Sequence, residues 1–190
     1  MSYKEELKHL NEEQVECVLK SILCGGSPTL GSSTGSQVIS GKYHMVLGTP
    51  GSGKTTAIVA LVKILAKLKQ RVLLVNFTNQ AIDNVLIRLK ESGFNDFIRV
   101  TNNISSVDPL LHDNVKTYHM FDTMQQIQDA FEETYIFGTT CLQMNNNLLL
   151  CVNRGKFDYC IMDEASQISE PLALGPILVS DKFIMIGDFY

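Results

Sequence analysis

The sequence predicts an α/β fold: a parallel β-sheet with helices on both faces. Three observations predict it. Short, continuous apolar runs alternate with stretches whose apolar residues recur every three to four positions, the pattern of buried strands joined by helices. A glycine-rich octet, Gly48–Thr55, lies between the first such run and the helix that follows it. The chain has 190 residues, 45% hydrophobic and 19% charged, which is enough to close one core and too apolar for a disordered segment.

Taken in order, Val15, Val18, Leu19, Ile22 and Leu23 recur at helical spacing, so residues 11–23 form an amphipathic helix. Asn11, followed three residues later by Gln14, suits a capping box at its start. Residues 24–42 open with the Gly/Ser/Thr-rich CGGSPTLGSSTGSQ, too poor in apolar residues to pack, and read as a loop. Tyr43–Leu47 is a short apolar strand, and Thr55 to about Leu68 is a helix. Arg71–Phe77 reads as a buried strand, Gln80–Lys90 as a helix and Phe97–Val100 as a short strand. Residues 101–131 form a small insertion, a loop leading into a helix near Thr117–Glu132. Tyr135–Thr139, Phe157–Met162 and Phe183–Ile186 are three further buried strands.

Composition excludes several classes. The longest apolar run falls far short of the ~18 residues of a membrane span, so no membrane partner is expected. The opening MSYKEELKHL lacks the basic-then-apolar layout of a signal peptide. Cys17, Cys24, Cys141, Cys151 and Cys160 form no CxxC pair, and the four histidines are scattered. Such a set fits reduced thiols in a nuclear or cytoplasmic protein better than a disulfide framework or a zinc site. Net charge is −4, divided as +4 over residues 1–100 and −8 over 101–190, so any nucleic-acid contact must be a local stripe.

The strongest chemical signal is Gly48-Thr49-Pro50-Gly51-Ser52-Gly53-Lys54-Thr55, which matches G-x-x-x-x-G-K-[ST] after a strand and before a helix. Glycines let backbone N–H groups wrap an anion, and the helix N-terminus adds its dipole. Lys54 can then reach the β/γ-phosphates of a nucleoside triphosphate, and the Thr55 hydroxyl can join a Mg²⁺ coordination sphere. The second signal is Phe157-Asp158-Tyr159-Cys160-Ile161-Met162-Asp163-Glu164, a buried strand ending in two carboxylates. At a strand's carboxyl edge Asp163 can hold Mg²⁺, while Glu164 orients and deprotonates the attacking water.

With those residues in hand, the chain resembles superfamily 1 helicases, of the 1B type. Gly48–Thr56 (GTPGSGKTT) resembles their motif I, Asn76–Asn84 (NFTNQAIDN) motif Ia, Gly138–Cys141 (GTTC) motif Ic and Asp163–Gln167 (DEASQ) motif II. Leu10–Gln14 resembles the Q motif, and Gly187-Asp188 the opening of motif III. Phe157–Gln167 and Leu174–Tyr190 are most similar to the helicase module of the eukaryotic helicase–nucleases that trim long Okazaki-fragment flaps and resect DNA ends. The sister branch of RNA-surveillance helicases shares most of these motifs and stays open.

The resemblance implies a P-loop NTPase with a RecA-like three-layer sandwich over residues 43–190, preceded by a Q-motif helix in residues 1–23. It implies nucleotide contacts from Gln14, Gly48, Pro50, Gly51, Ser52, Gly53, Lys54, Thr55 and Thr56, with Thr55 and Asp163 toward Mg²⁺. Gln14 would meet the adenine edge, while its other reading is the capping-box partner of Asn11. Thr78, Asn79, Asn84, Thr139 and Thr140 would help place single-stranded DNA, or RNA in the sister branch, against the alternative of ordinary helix capping. Asp83 lies in the same motif, but its charge repels phosphate. Lys63, Lys67, Lys69 and Arg71 read as complements of a helix dipole, and Cys17 and Cys160 as small core residues.

The family's nuclease domain carries an iron–sulfur cluster, and neither that domain nor cluster-type cysteine spacing is found here. A second RecA-like lobe, with its arginine finger, is not recognisable either, so full activity is expected to need that lobe supplied. The implied setting is the nucleus, with the cytoplasm as alternative, in DNA replication and repair. Two other readings differ in class. One is a non-hydrolysing, nucleotide-dependent binding module; the other is a P-loop kinase or AAA-type ATPase, against which motif Ia, DEASQ and the Gly187-Asp188 strand end together argue.

Overall fold

The computed structural model describes residues 3–23, 42–132, 134–144, 149 and 157–188. The Gly/Ser-rich loop expected at 24–42 lies outside them except for Lys42, as do Cys24, Cys151, Phe189 and Tyr190. Among the described residues seven strands form one sheet: β1 (Tyr43–Leu47), β2 (Val72–Asn76), β3 (Phe97–Val100), β4 (Val115–Lys116), β5 (Ile136–Thr140), β6 (Phe157–Met162) and β7 (Ser180–Gly187). Their order across the sheet is β1-β7-β6-β2-β5-β3-β4, and every neighbouring pair is parallel. The helices are α1 (Lys4–Leu7), α2 (Glu12–Leu23), α3 (Lys54–Lys67), α4 (Asn79–Glu91), α5 (Met124–Glu132) and α6 (Glu170–Leu178).

Strand β2 shows why the sheet is sandwiched. All five of its residues are buried. Val72 and Leu74 pack with α2, α3 and α4 on one face, while Leu73 and Val75 pack with α5 and α6 on the other. A period of two with both faces covered yields a continuous apolar run rather than an alternating one. Helix α3 lies between sheet and outer helices, so Ile58, Leu61, Val62, Ile64 and Leu65 are all buried. Each fully buried side chain of this kind contributes about 1.5–3 kcal/mol.

The N-terminal segment belongs to this sandwich. Val18 of α2 is in the core, Ser21 Oγ and His44 Nδ1 lie 2.9 Å apart, and Tyr159 OH donates to Ile22 O at 2.9 Å. Helix α1, which the apolar pattern did not reveal, is tied to α3 through Glu6, 2.9 Å from Lys63 Nζ and 2.6 Å from Lys67 Nζ. Those two lysines, expected to complement a helix dipole, serve instead as partners of Glu6. Arg71 also departs from that expectation, with its guanidinium over the rings of Phe137 and Phe157.

Three elements differ from the sequence expectation. The helix anticipated from Thr117 begins at Met124, because Gln126 N donates to Thr123 Oγ1 and Gln126 Oε1 accepts from Asp122 N, a cap that fixes the start. Strand β4 is two residues long, too short to leave a periodic trace. Helix α6 carries Pro171 at its start and Gly175 and Pro176 inside, residues that normally punctuate helices. Cys160 and Cys141 are buried, whereas Cys17 is only half-buried.

Candidate nucleotide site

Strands β1, β7 and β6 are neighbours and end at the same edge. Leu47 stands opposite Gly187, and Met162 opposite Met185. The residues that follow, Gly48, Asp188 and Asp163, therefore meet at one place although they lie far apart in sequence.

The loop after β1 is held by its own backbone. Gly48 N donates to Gly187 O at 3.1 Å, and Ser52 N to Thr49 O at 3.1 Å. Gly53 has φ +81°, a left-handed backbone that favours glycine, and a Cβ there would stand 2.3 Å from Gln14 Nε2 and displace that carboxamide. Helix α3 starts immediately afterwards with no side-chain cap. Its first-turn N–H groups are left for an anion, and the helix dipole favours one there.

Lys54 Nζ donates to Gly48 O (3.2 Å), Thr49 O (3.0 Å) and Asp188 Oδ1 (2.5 Å). The phosphate-loop lysine is thus paired with the carboxylate that ends β7. Asp163 is placed by its backbone N–H, which donates to Val75 O at 3.1 Å, and its Oδ1 accepts from Glu164 N at 3.0 Å. Burial pushes the Asp163 carboxyl above its usual range; the Glu164 N–H bond opposes this, the Glu164 charge adds to it, and Asn76 and Lys54 pull back. Glu164 itself sits at φ +52°, left-handed backbone that costs a non-glycine residue about 1–3 kcal/mol. A cavity of about 360 Å³ joins Thr55, Asp163 and Glu164 to Asn84 and Arg88 on the outer face of α4.

The oxygen donors at the β6 side of this cavity are the Thr55 hydroxyl and the Asp163 and Glu164 carboxylates. Among the described residues there is no group of three or more His, Cys, Asp or Glu placed to hold a metal ion. A donor set this sparse and this hard fits Mg²⁺, which binds through one or two carboxylates and takes the rest from phosphates and water.

Gln14 is corrected in detail. Its backbone N–H donates to Asn11 Oδ1 (2.8 Å) and its Oε1 accepts from Asn11 N (3.1 Å), so the capping box forms. Its Nε2 donates to Ser52 O (3.0 Å) and reaches toward Gly53 O (3.5 Å). The carboxamide braces the phosphate loop, and contact with adenine would require it to turn away from these partners.

The residues expected to touch nucleic acid separate into two groups. Thr78 and Asn84 are exposed, and Thr78 Oγ1 caps α4 by accepting from Ala81 N at 3.1 Å. Asn79 is half-buried, with Oδ1 accepting from Arg99 Nη2 at 2.8 Å. Thr139 and Thr140 are buried, and the Thr139 hydroxyl donates to Val100 O at 3.2 Å. That pair is corrected: hydroxyls enclosed in the sheet have nothing to offer a strand of nucleic acid. Asp83 is also internal, with Oδ1 2.7 Å from Arg99 Nε and Oδ2 accepting from Asp108 N at 2.9 Å.

Sequence reasoning missed Arg99, Arg88, Asn76 and the Lys54–Asp188 pair. Arg99 carried a signal: an arginine inside the apolar run FIRV must find a partner if the strand is buried, because an unpaired charge is not tolerated there. Arg88 carried none, and Asp188, read only as part of Gly187-Asp188, gave no sign of its pairing with Lys54, since these neighbours come from distant segments.

A glycine loop opening α3, facing a carboxylate pair at the edge of a parallel sandwich, defines a P-loop nucleotide-binding domain of RecA-like architecture. The chain belongs to the AAA domain family, whose model matches residues 34–189. It is also similar to the Saccharomyces cerevisiae protein named DNA replication ATP-dependent helicase/nuclease DNA2, 40% identical over 148 residues, 78% of this chain and 10% of that protein. The Homo sapiens protein of the same name is 32% identical over 186 residues, 96% of this chain and 17% of that one. The chain spans 10 to 18% of the length of the curated relatives it matches. The AAA domain model and the helicase-named relatives overlap along this chain.

Among solved structures, the Sulfolobus solfataricus SWI2/SNF2 ATPase core in complex with dsDNA matches with TM-score 0.58 and 14% identity over 96% of this chain and 31% of that one. A nuclease-deletion mutant of the Type ISP restriction-modification enzyme LlaGI matches with TM-score 0.57 and 14% identity over 93% of this chain and 17% of that one. At such identity the likeness concerns the fold alone, and the fold is that of an ATPase core.

Proposed function

We propose that this chain is the ATP·Mg²⁺-binding lobe of an ATP-dependent DNA helicase, of the helicase–nuclease kind that serves DNA replication and repair. Completed by a second RecA-like lobe, it would couple ATP hydrolysis to movement along single-stranded DNA. One observation carries the reading: Lys54, Thr55, Asp163 and Glu164 converge at one edge of the sheet, as phosphate binding and attack by water require.

In this reading Gly48, Pro50, Gly51, Ser52, Gly53 and Thr56 shape the phosphate cradle, and Lys54 exchanges Asp188 for the β/γ-phosphates. Thr55 and Asp163 would hold Mg²⁺, which would supply charge neutralisation of the phosphates. Glu164, beside the same cavity, orients the attacking water and takes its proton. Thr78 and Asn84, exposed at the start of α4 and on its outer face, are the residues left to meet DNA, with Asn79 held behind them. DNA is favoured over RNA because the relatives are named for DNA replication. That naming also supports a nuclear setting.

The test is titration calorimetry of ATP into the chain with Mg²⁺, for the native protein and Lys54→Ala, with and without oligo-dT. The expected result is binding that is weakened roughly ten- to a hundredfold in Lys54→Ala and strengthened by oligo-dT, since two coupled sites on one lobe must affect each other reciprocally. A folded protein that binds no ATP even with a second lobe supplied overturns the reading. Coupling to oligo-U in place of oligo-dT would move the chain to the RNA-helicase branch. Tight binding without turnover in the two-lobe assembly would make it a nucleotide-dependent binding module.

A further inference from the structure

Two buried side-chain nitrogens have no hydrogen-bond partner among the described residues, Arg71 Nε and Asn76 Nδ2. For Arg71 the surroundings supply an account, because its guanidinium lies 5.4 Å from the centroid of Phe137 and 5.7 Å from that of Phe157. Asn76 has no such company. It is 1% exposed, the only polar residue of β2, and the last before the chain turns into α4.

Its place in the sheet points to a task. β2 lies between β5 and β6; Asn76 stands opposite Thr140 on one side, while on the other Val75 O accepts from Asp163 N. Asn76 is therefore the inner neighbour of the carboxylate proposed to hold Mg²⁺. Val75 stands opposite Met162, so Asn76 and Asp163 are the next residues side by side on adjacent strands, and Asn76 Nδ2 makes no hydrogen bond, which leaves the donor unspent. A buried donor without a partner destabilises a fold and calls for an explanation, and a carboxamide beside a catalytic carboxylate supplies one.

We infer that Asn76 is a positioning residue of the Mg²⁺·ATP site: its Nδ2 donates to the Asp163 carboxylate in the ligand-bound state, fixing which oxygen is presented toward Thr55. The inference deepens the nucleotide-site reading and rests on it. Thr140 cannot take this role, since it lies on the far side of Asn76 from Asp163. Glu164 N already serves Asp163 Oδ1, so a second donor from the sheet side would hold the carboxylate at two points and prevent its rotation.

The experiment uses the whole chain with Asn76→Leu, which keeps size and removes the donor, and Asn76→Ser as a second variant should the first fail to fold. ATP affinity is measured by calorimetry in EDTA and in Mg²⁺, beside the melting temperature without ligand. The expected result is a ligand-free melting temperature equal to or above that of the native chain. The ratio of Kd in EDTA to Kd in Mg²⁺ is expected to fall about tenfold, as for loss of one hydrogen bond to a charged group. A purely structural role would lower the melting temperature and leave that ratio intact, which overturns the inference, as does an unchanged ratio in a fully stable variant. Native protein that shows no Mg²⁺-dependent ATP binding at all breaks the underlying site reading instead, so the two failures are distinguishable.

Discussion

The carboxyl edge of the sheet has two halves of opposite character. Beyond β1, β7 and β6 the polar residues Lys54, Asp163, Glu164 and Asp188 are half-exposed. Beyond β2, β5 and β3 the polar residues Asn76, Asp83, Arg99, Thr139 and Thr140 are buried, and Arg99 gathers Asp83 Oδ1, Asn79 Oδ1 and Val100 O onto one guanidinium. Both halves carry motif residues at strand ends, and residue type alone does not separate them. Cover does: the 104–114 segment lies along α4, with Asp108 N bonded to Asp83 and Lys90 Nζ to Leu110 O, whereas the phosphate loop leaves its half open. Polar groups at an open edge are free for ligands, and those under cover must satisfy each other.

The largest effect expected from this contrast comes from the covered half. Arg99→Leu leaves Asp83 buried and uncompensated, which costs about 3–5 kcal/mol and is measured by urea unfolding. The folded fraction of that variant should still bind ATP with native affinity; a drop beyond the lost stability would show that the two halves are coupled. Lys54→Ala acts in the opposite sense. Its melting temperature should move little, while the affinity for ATP falls by roughly ten- to a hundredfold, as expected when a charge-assisted hydrogen bond of about 1.5–3 kcal/mol is lost. Equal losses of stability in both variants would erase the distinction.

A smaller effect tests whether the open half holds strain for function. Glu164→Gly relieves the left-handed backbone at φ +52° and should raise the melting temperature by about 2–4 °C per kcal/mol gained, while removing the proposed base. Unchanged stability would mean that the surrounding turn imposes no strain there.

The smallest effect concerns α1. Burial raises the Glu6 carboxyl, but Lys67 and Lys63 more than offset it, so its pKa lies below the ordinary 4.5. A depressed carboxylate pKa contributes stability that is present above the unfolded value and lost as pH falls through the folded one. Acidification below pH 4.5 should therefore release α1 from α3, at about 0–1 kcal/mol after solvent screening, and Glu6→Gln should flatten that part of the stability profile. Hydrogen exchange at Lys4–Leu7 as a function of pH measures it.

The same contrast explains which residues sequence reasoning reached. The phosphate loop was legible because its glycines and Lys54 are contiguous, and a loop that wraps an anion with its own backbone must be written in adjacent residues. The placing of Asp163 and Glu164 at a strand end was legible because two adjacent charges do not continue a buried apolar strand. Thr139 and Thr140 were placed at the correct edge and given the wrong surroundings, since a strand's sequence reports its end but not what lies over it. Gln14 matched two expectations, capping box and nucleotide contact, and the tertiary contact with Ser52 O shows its carboxamide turned to the loop.

By itself the sequence determined the alternation of strands and helices, the parallel sandwich, the phosphate loop and the carboxylate pair. Each rests on local periodicity or on adjacent residues whose spacing is set by the backbone. Only the tertiary structure decided that Lys54 is held by Asp188, that Arg99 draws Asp83 and Asn79 inward, and that Asn76 reaches the sheet's edge with its donor unspent. Those facts depend on the strand order β1-β7-β6-β2-β5-β3-β4, which brings Asp188 to Lys54 although they lie 134 positions apart. Burial and pairing at that range are properties of the packed chain, and no local pattern encodes them.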